Sequence, residues 1–130
     1  MTGPSASTVA VVDDDPSVLE AVGNLLVSAG YSVSRFDSAE AFLMTVPATS
    51  FDCLISDIGL PGMNGIALQT EMGLWRPHMP VILITGRNEL GGAGVLAVNN
   101  RGLYRKPFDG EQLLSALAAA LKPPKPSSAC

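Results

Sequence analysis

Only two cysteines occur among the 130 residues, Cys53 inside an apolar run and Cys130 at the last position. That leaves no disulfide framework and no thiolate metal cluster, fits a reducing compartment, and makes Cys53 a small core residue. Charge is scarce too. Charged residues make up 15% against 47% hydrophobic, so the chain should fold everywhere except at its ends. Positive charge is the scarcer sign: 8 Lys and Arg against 12 Asp and Glu give a net charge of −4, with no basic stripe. This segment is therefore not expected to grip nucleic acid through phosphates. No apolar stretch is long enough to span a bilayer, and Met1 to Ser7 lacks the charged, apolar pattern of a signal segment, so the expectation is a cytoplasmic protein without membrane contact. Internal repeats are absent, and the single histidine, His78, has no partner pattern for catalysis.

The length suits one domain with enough core to fold alone. Strand-like and helix-like segments alternate along it, which predicts an α/β fold with a parallel sheet and helices on both faces. The strands read as Thr8 to Val12, Ser32 to Phe36, Phe51 to Ser56, Val81 to Thr85 and Leu103 to Arg105. A first helix starts at Pro16 behind Asp15 as N-cap, buries Val18, Val22, Leu25, Leu26 and Ala29, and ends at Gly30. A second follows Asp37 or Ser38 as cap and buries Ala39, Phe42, Leu43 and Val46 before Pro47. The third starts near Gly65 with Leu68, Met72 and Trp75 inward. The last is capped by Asp109, has Gln112 placed for a capping box, and carries Leu113, Leu114, Leu117 and Leu121. Between Gly86 and Gly102 the glycines at 91, 92 and 94 each cost a helix about 1 kcal/mol. Any helix there is expected to be short, displaced or frayed, anchored by Val95, Leu96 and Val98. The domain is assigned to residues 1–122, and Pro123-Pro124-Lys125-Pro126-Ser127-Ser128 reads as a stiff polar tail or the start of a linker to an effector domain.

Four strand ends carry the chemistry. Asp13-Asp14-Asp15 follows Val9-Ala10-Val11-Val12, and Asp57 follows Cys53-Leu54-Ile55-Ser56. Thr85-Gly86 ends Val81-Ile82-Leu83-Ile84, and Lys106-Pro107-Phe108 follows another short apolar segment. If the first and third strands are adjacent and parallel, Asp13, Asp14 and Asp57 meet where open α/β sheets bind ligands. Two unit charges about 4 Å apart interact by roughly 4 kcal/mol at an effective dielectric near 20. Three uncompensated carboxylates would then rival the roughly 5–15 kcal/mol of a whole domain's stability. Such a cluster calls for a cation or a raised pKa, and hard carboxylate oxygens favour Mg²⁺, with Mn²⁺ as the alternative. Lys106 adds a mobile positive charge for Asp57 or a phosphoryl oxygen. Each element alone is ordinary: an acidic cap, a turn aspartate, a strand exit, a loop lysine. All four at matching strand ends are not.

The segments Val11-Val12-Asp13-Asp14-Asp15-Pro16, Ile55-Ser56-Asp57-Ile58-Gly59-Leu60-Pro61-Gly62-Met63-Asn64-Gly65, Ile84-Thr85-Gly86 and Lys106-Pro107-Phe108 resemble the receiver domain of bacterial two-component response regulators. The similarity runs from about Ser7 to Leu121 and is closest to receivers of LuxR or FixJ type. The resemblance implies a flavodoxin-like, doubly wound sheet of strand order 2-1-3-4-5. It makes Asp57 the phosphoacceptor, with Mg²⁺ held by Asp13, Asp14, Asp57 and the backbone carbonyl of Gly59. Thr85 would bond a phosphoryl oxygen and Lys106 form the ion pair, and the Lys106-Pro107 bond suits a cis peptide. Thr85 and Leu103 occupy the switch positions. Leu103 stands where many receivers have an aromatic ring, and Tyr104 should point to the other face. Gly59 and Arg87 occupy positions that tune phosphate loss, and Gly59 offers no side chain to orient water. The partners implied are a sensor histidine kinase and, when phosphorylated, a second copy through the face of the fourth helix, fifth strand and fifth helix.

These implications describe a signalling switch and not a turnover enzyme. An aspartate-nucleophile phosphatase would need an acid where Gly59 stands, and a flavin phosphate would be repelled by the acids after the first strand. A degenerate receiver acting only as a binding module is the remaining alternative.

Overall fold

The apolar runs Thr8–Val12 and Val81–Thr85 become strands because each is bounded by turn residues and rich in β-branched side chains. The computed structural model describes residues 7–46, 51–86, 100–106 and 109–121. Its elements are β1 (Thr8–Val12), α1 (Pro16–Ser28), β2 (Ser32–Phe36), α2 (Ala39–Thr45), β3 (Cys53–Asp57), α3 (Gly65–Trp75), β4 (Val81–Thr85), β5 (Asn100–Arg105) and α4 (Gly110–Leu121). The strands form one parallel sheet in the order β2-β1-β3-β4-β5, as the resemblance implied.

Period-two alternation splits the core in two. Val9, Val11, Cys53, Ile55, Ile82 and Ile84 face α1 and α4, meeting Val22, Leu26, Leu113 and Leu117. Ala10, Val12, Leu54, Val81 and Leu83 face α2 and α3, meeting Phe42, Leu68 and Met72. Strands β3 and β4 are buried along their whole length, which is why they read as unbroken apolar runs. Phe42, fully buried, packs with Phe36 and Phe51 at ring-centroid distances of 5.5 Å each.

The first, second and last helices start at predicted caps, and the third at one not expected from the sequence. Asp15 accepts from the backbone N–H of Ser17 at 3.0 Å. Ser38, not Asp37, caps α2 by accepting from Ala41. Asn64 caps α3 through Ala67, and Asp109 accepts from Glu111 at the start of α4. Gly30 closes α1 in the left-handed region, at φ 100°.

Four expectations need correction. Ala29 is the exposed C-cap of α1, since the helix ends one residue earlier than its apolar spacing suggests. Trp75 is 59% exposed and borders, with Pro77 and His78, a cleft at the N-terminal end of the sheet. Strand β3 reaches Asp57 itself and starts at Cys53 instead of Phe51. Strand β5 begins at Asn100, so residues 100–102 extend the sheet. The expected helix anchors Val95, Leu96 and Val98, together with Arg87, Pro107, Phe108 and residues 123–130, lie outside the described residues. Among the described residues no helix is long and apolar enough to cross a membrane.

Candidate acidic site at the C-terminal edge of the sheet

Because Val12 pairs with Ser56 across β1 and β3, Asp13 and Asp57 sit side by side. The Asp13 amide donates to Phe36 O at 3.1 Å and its Oδ1 accepts from Asp15 N at 2.9 Å, so its backbone and one oxygen are fixed. Asp13 is fully buried, Asp57 is 5% exposed, and Asp14 is exposed. One oxygen from each of the three carboxylates lies within 4.8 Å of the others. Lys106 reaches in from the end of β5, with Nζ 2.9 Å from Asp13 Oδ2 and 3.5 Å from Asp57 Oδ1. Its own amide donates to Thr85 O at 2.7 Å, which locks the ends of β4 and β5 together. Thr85 is fully buried at the end of β4, next along the sheet from Asp57.

The charges do not cancel. Asp13 and Asp57 share one ammonium, and Asp14 adds a further negative charge at the rim. Asp13 Oδ2 and Asp57 Oδ1 are buried, and among the described residues both turn toward the single Lys106 ammonium. Burial, followed by the neighbouring Asp13, pushes the Asp57 carboxyl above its ordinary pKa, while Lys106 and the Gly59 N–H pull the other way. Burial alone would lower Lys106, but Asp13 and Asp57 outweigh it and hold the ammonium above the usual lysine value. Two buried carboxylate oxygens beside a third acid fit a hard divalent cation such as Mg²⁺.

The loop after β3 returns sharply to start α3. Ile58 N donates to Ile84 O at 2.7 Å and Gly65 N to Ile58 O at 3.0 Å, so both ends of the loop are pinned beside Asp57. Ile58 and Leu60 anchor in the core, leaving Gly59 exposed between them. Gly65 is obligatory by contact: a methyl group there would overlap the Asp57 carbonyl oxygen. Leu103 is partly buried against the α2/α3 side of the core, paired with Leu83, and Tyr104 packs on the opposite side, as alternation required.

Of the predicted site residues, Asp13, Asp14, Asp57 and Lys106 converge. Thr85 and Gly59 flank them on adjacent backbone, and Leu103 lies lower in the sheet. Two contacts have no sequence signature. Glu40 on α2 accepts from Met63 N at 3.0 Å, and fully buried Gln69 on α3 accepts from Asn100 Nδ2 at 2.8 Å. Glu40 reads in the sequence only as a first-turn acid, and Gln69 only as a polar residue among apolar ones.

A doubly wound parallel sheet with acids, a hydroxyl and a lysine at its carboxyl edge is an α/β domain with its polar groups gathered where such sheets bind ligands. The chain belongs to the response regulator receiver domain family, whose profile matches residues 9–118. It is 32% identical over 119 residues to the transcriptional regulatory protein FixJ of Bradyrhizobium diazoefficiens, covering 91% of this chain and 58% of FixJ. It is 39% identical over 119 residues to the response regulator protein TodT of Pseudomonas putida, covering 90% of this chain and 52% of TodT. The chain thus spans a little over half the length of these relatives. Among solved structures, a CheY-like receiver domain from Methanospirillum hungatei matches with a TM-score of 0.84 at 28% identity, covering 90% of this chain and 94% of that one. Full-length FixJ from B. japonicum matches with a TM-score of 0.81 at 31% identity, covering 95% of this chain and 62% of FixJ.

Proposed function

We propose that Asp57 accepts a phosphoryl group from a phosphohistidine of a sensor kinase, and that the resulting aspartyl phosphate changes the surface the domain offers to an effector. The observation that carries this reading is the buried Asp57 carboxylate oxygen facing Lys106 among the acids. A bond forms between Asp57 Oδ and phosphorus as the P–N bond breaks, and its electron pair returns to the imidazole nitrogen. Lys106, freed from Asp57 by formation of the acyl phosphate, meets the phosphoryl oxygens, and the Thr85 hydroxyl bonds another. Asp13, Asp14, Asp57 and the Gly59 carbonyl would hold Mg²⁺, which supplies charge neutralisation at the phosphoryl oxygens. The product is a signal that ends by hydrolysis, so the domain is read as a switch and not as a dedicated turnover enzyme.

On this reading residues 1–122 are the receiver and 123–130 are a polar tail or the start of a linker to an effector domain. A phosphorylation-dependent homodimer would use the face containing β5 and α4. Leu103, paired with Leu83 on β4, would take part in that change.

Acetyl phosphate with Mg²⁺ should add one phosphoryl group per chain, read by intact mass. No labelling would instead favour the degenerate, binding-only receiver. Asp14→Asn should weaken Mg²⁺ binding by roughly tenfold or more, because it removes a full charge at contact distance; chemical shifts near Asp14 and Asp57 during a Mg²⁺ titration measure it. Lys106→Met should do the opposite, tightening Mg²⁺ roughly fivefold by removing the competing cation, while slowing labelling. Weaker Mg²⁺ binding in Lys106→Met would contradict the electrostatic account.

A further inference from the structure

We propose that Glu40 is a positioning residue for the metal and phosphoryl site: its carboxylate, reaching from the first turn of α2, holds the loop that carries Gly59. The inference rests on the reading of Asp57 and Gly59 given above. The near end of this loop is fixed by Ile58 and Leu60 in the core, and its far end by the Asn64 cap of α3. The outer limb lies between them, at residues 61–63. There Gly62 adopts φ 72°, a conformation that exposes the next amide, and the Met63 N–H points at Glu40 Oε2 at 3.0 Å. The fit is close. A Cβ on Gly62 would stand 2.8 Å from the same carboxylate oxygen, so glycine leaves the space that Glu40 fills.

The donor hydrogen bond holds the Glu40 carboxyl below its ordinary pKa, with its own backbone amide contributing next, so the acceptor stays ionised throughout the neutral range. Glu40 is exposed and touches neither the three acids nor Lys106. It therefore acts through the loop alone. Ile58 and Leu60 keep the chain path beside Gly59, so releasing residues 61–63 acts on the peptide plane between Gly59 and Leu60, which is then free to turn its carbonyl away from Asp57. The chain then pays part of the cost of ordering the loop at the moment a cation binds, which weakens binding without altering the chemistry once the site is filled.

Three variants in the full chain separate reach from charge. Glu40→Gln keeps an acceptor oxygen at the same distance and should bind Mg²⁺ within twofold of wild type. Glu40→Ala loses the acceptor, and Glu40→Asp keeps the charge at the α2 terminus but falls one methylene short. Both should raise the Mg²⁺ dissociation constant three- to tenfold, shift the Gly59 and Met63 amide resonances, and recover wild-type labelling by acetyl phosphate at saturating Mg²⁺. All three should unfold within a few degrees of wild type, since the residue is on the surface. Wild-type Mg²⁺ affinity in Glu40→Ala and Glu40→Asp, with wild-type protein still labelled in a Mg²⁺-dependent way, would overturn this role while leaving the proposed function standing. If wild-type protein neither binds Mg²⁺ nor is labelled, the functional reading fails and the role of Glu40 with it.

Discussion

Asp57→Asn should abolish phosphorylation and, in the absence of metal, make the fold more stable by about 1–2 kcal/mol at pH 7. The two effects share one cause. The wild-type carboxylate is 5% exposed, lies beside fully buried Asp13, and shares Lys106 with it at 3.5 Å, the Gly59 N–H adding a second pull against burial. Asparagine keeps the shape and removes the charge, which leaves Lys106 to neutralise Asp13 at 2.9 Å. The pH dependence follows from the raised pKa of Asp57. A carboxyl raised in the folded state favours folding when protonated, below its unfolded pKa, and that advantage is lost as pH rises through the folded value. The stability gap between variant and wild type should therefore be widest near neutrality and narrow on acidification. Lys106, also raised, contributes stability at neutral pH that is lost only as alkaline pH passes its folded value. Urea unfolding at several pH values, with intact mass after acetyl phosphate treatment, measures both effects. A stoichiometrically labelled Asn variant, or one less stable than wild type at pH 7 without metal, would remove the basis for both the site and its electrostatics.

The sheet and the acids were legible because buried parallel strands are written as continuous apolar runs, and chemistry in this architecture sits where those runs stop. Thr8 to Val12, Ser32 to Phe36 and Val81 to Thr85 matched to the residue. Helix α3 was harder. Its sequence Gly65–Trp75 has apolar residues all round, so spacing could not choose between Trp75 and Gln69 for the interior. The structure buries Gln69, whose amide oxygen meets Asn100, and leaves Trp75 at the surface, beyond the last turn covered by the sheet. Asn100 falls in the stretch where a weak helix was expected and, like glycine, is a poor strand former, yet pairing with Val81 extends β5 back to it. The Glu40 contact was invisible for a different reason: its partner is a backbone N–H, which carries no side-chain signal and is exposed by the left-handed turn at Gly62.

Gly65→Ala should be the most damaging added methyl group among the described glycines. At this buried first position of α3 a Cβ would overlap the Asp57 carbonyl oxygen and come within 2.9 Å of Ile58 Cα. Both neighbours are backbone, held by the Ile58–Ile84 and Gly65–Ile58 hydrogen bonds, so no flexible side chain can yield. The helix must move off β3, opening the layer that Leu68 and Met72 fill, or Asp57 must shift. The expected cost is about 2–4 kcal/mol. A displacement near 1 Å at the reacting carboxylate should also slow labelling by acetyl phosphate roughly a hundredfold. Gly30→Ala is the matching control: its φ of 100° strains an added Cβ, but nothing lies within 4 Å of it. It should cost about 1 kcal/mol through backbone strain and leave the labelling rate unchanged, because it lies at the far end of α1 from Asp57. Urea midpoints and single-turnover labelling of the two variants test the argument together. If Gly65→Ala unfolds no more easily than Gly30→Ala and is labelled at the wild-type rate, the contact between α3 and the phosphoacceptor strand does not set the position of Asp57.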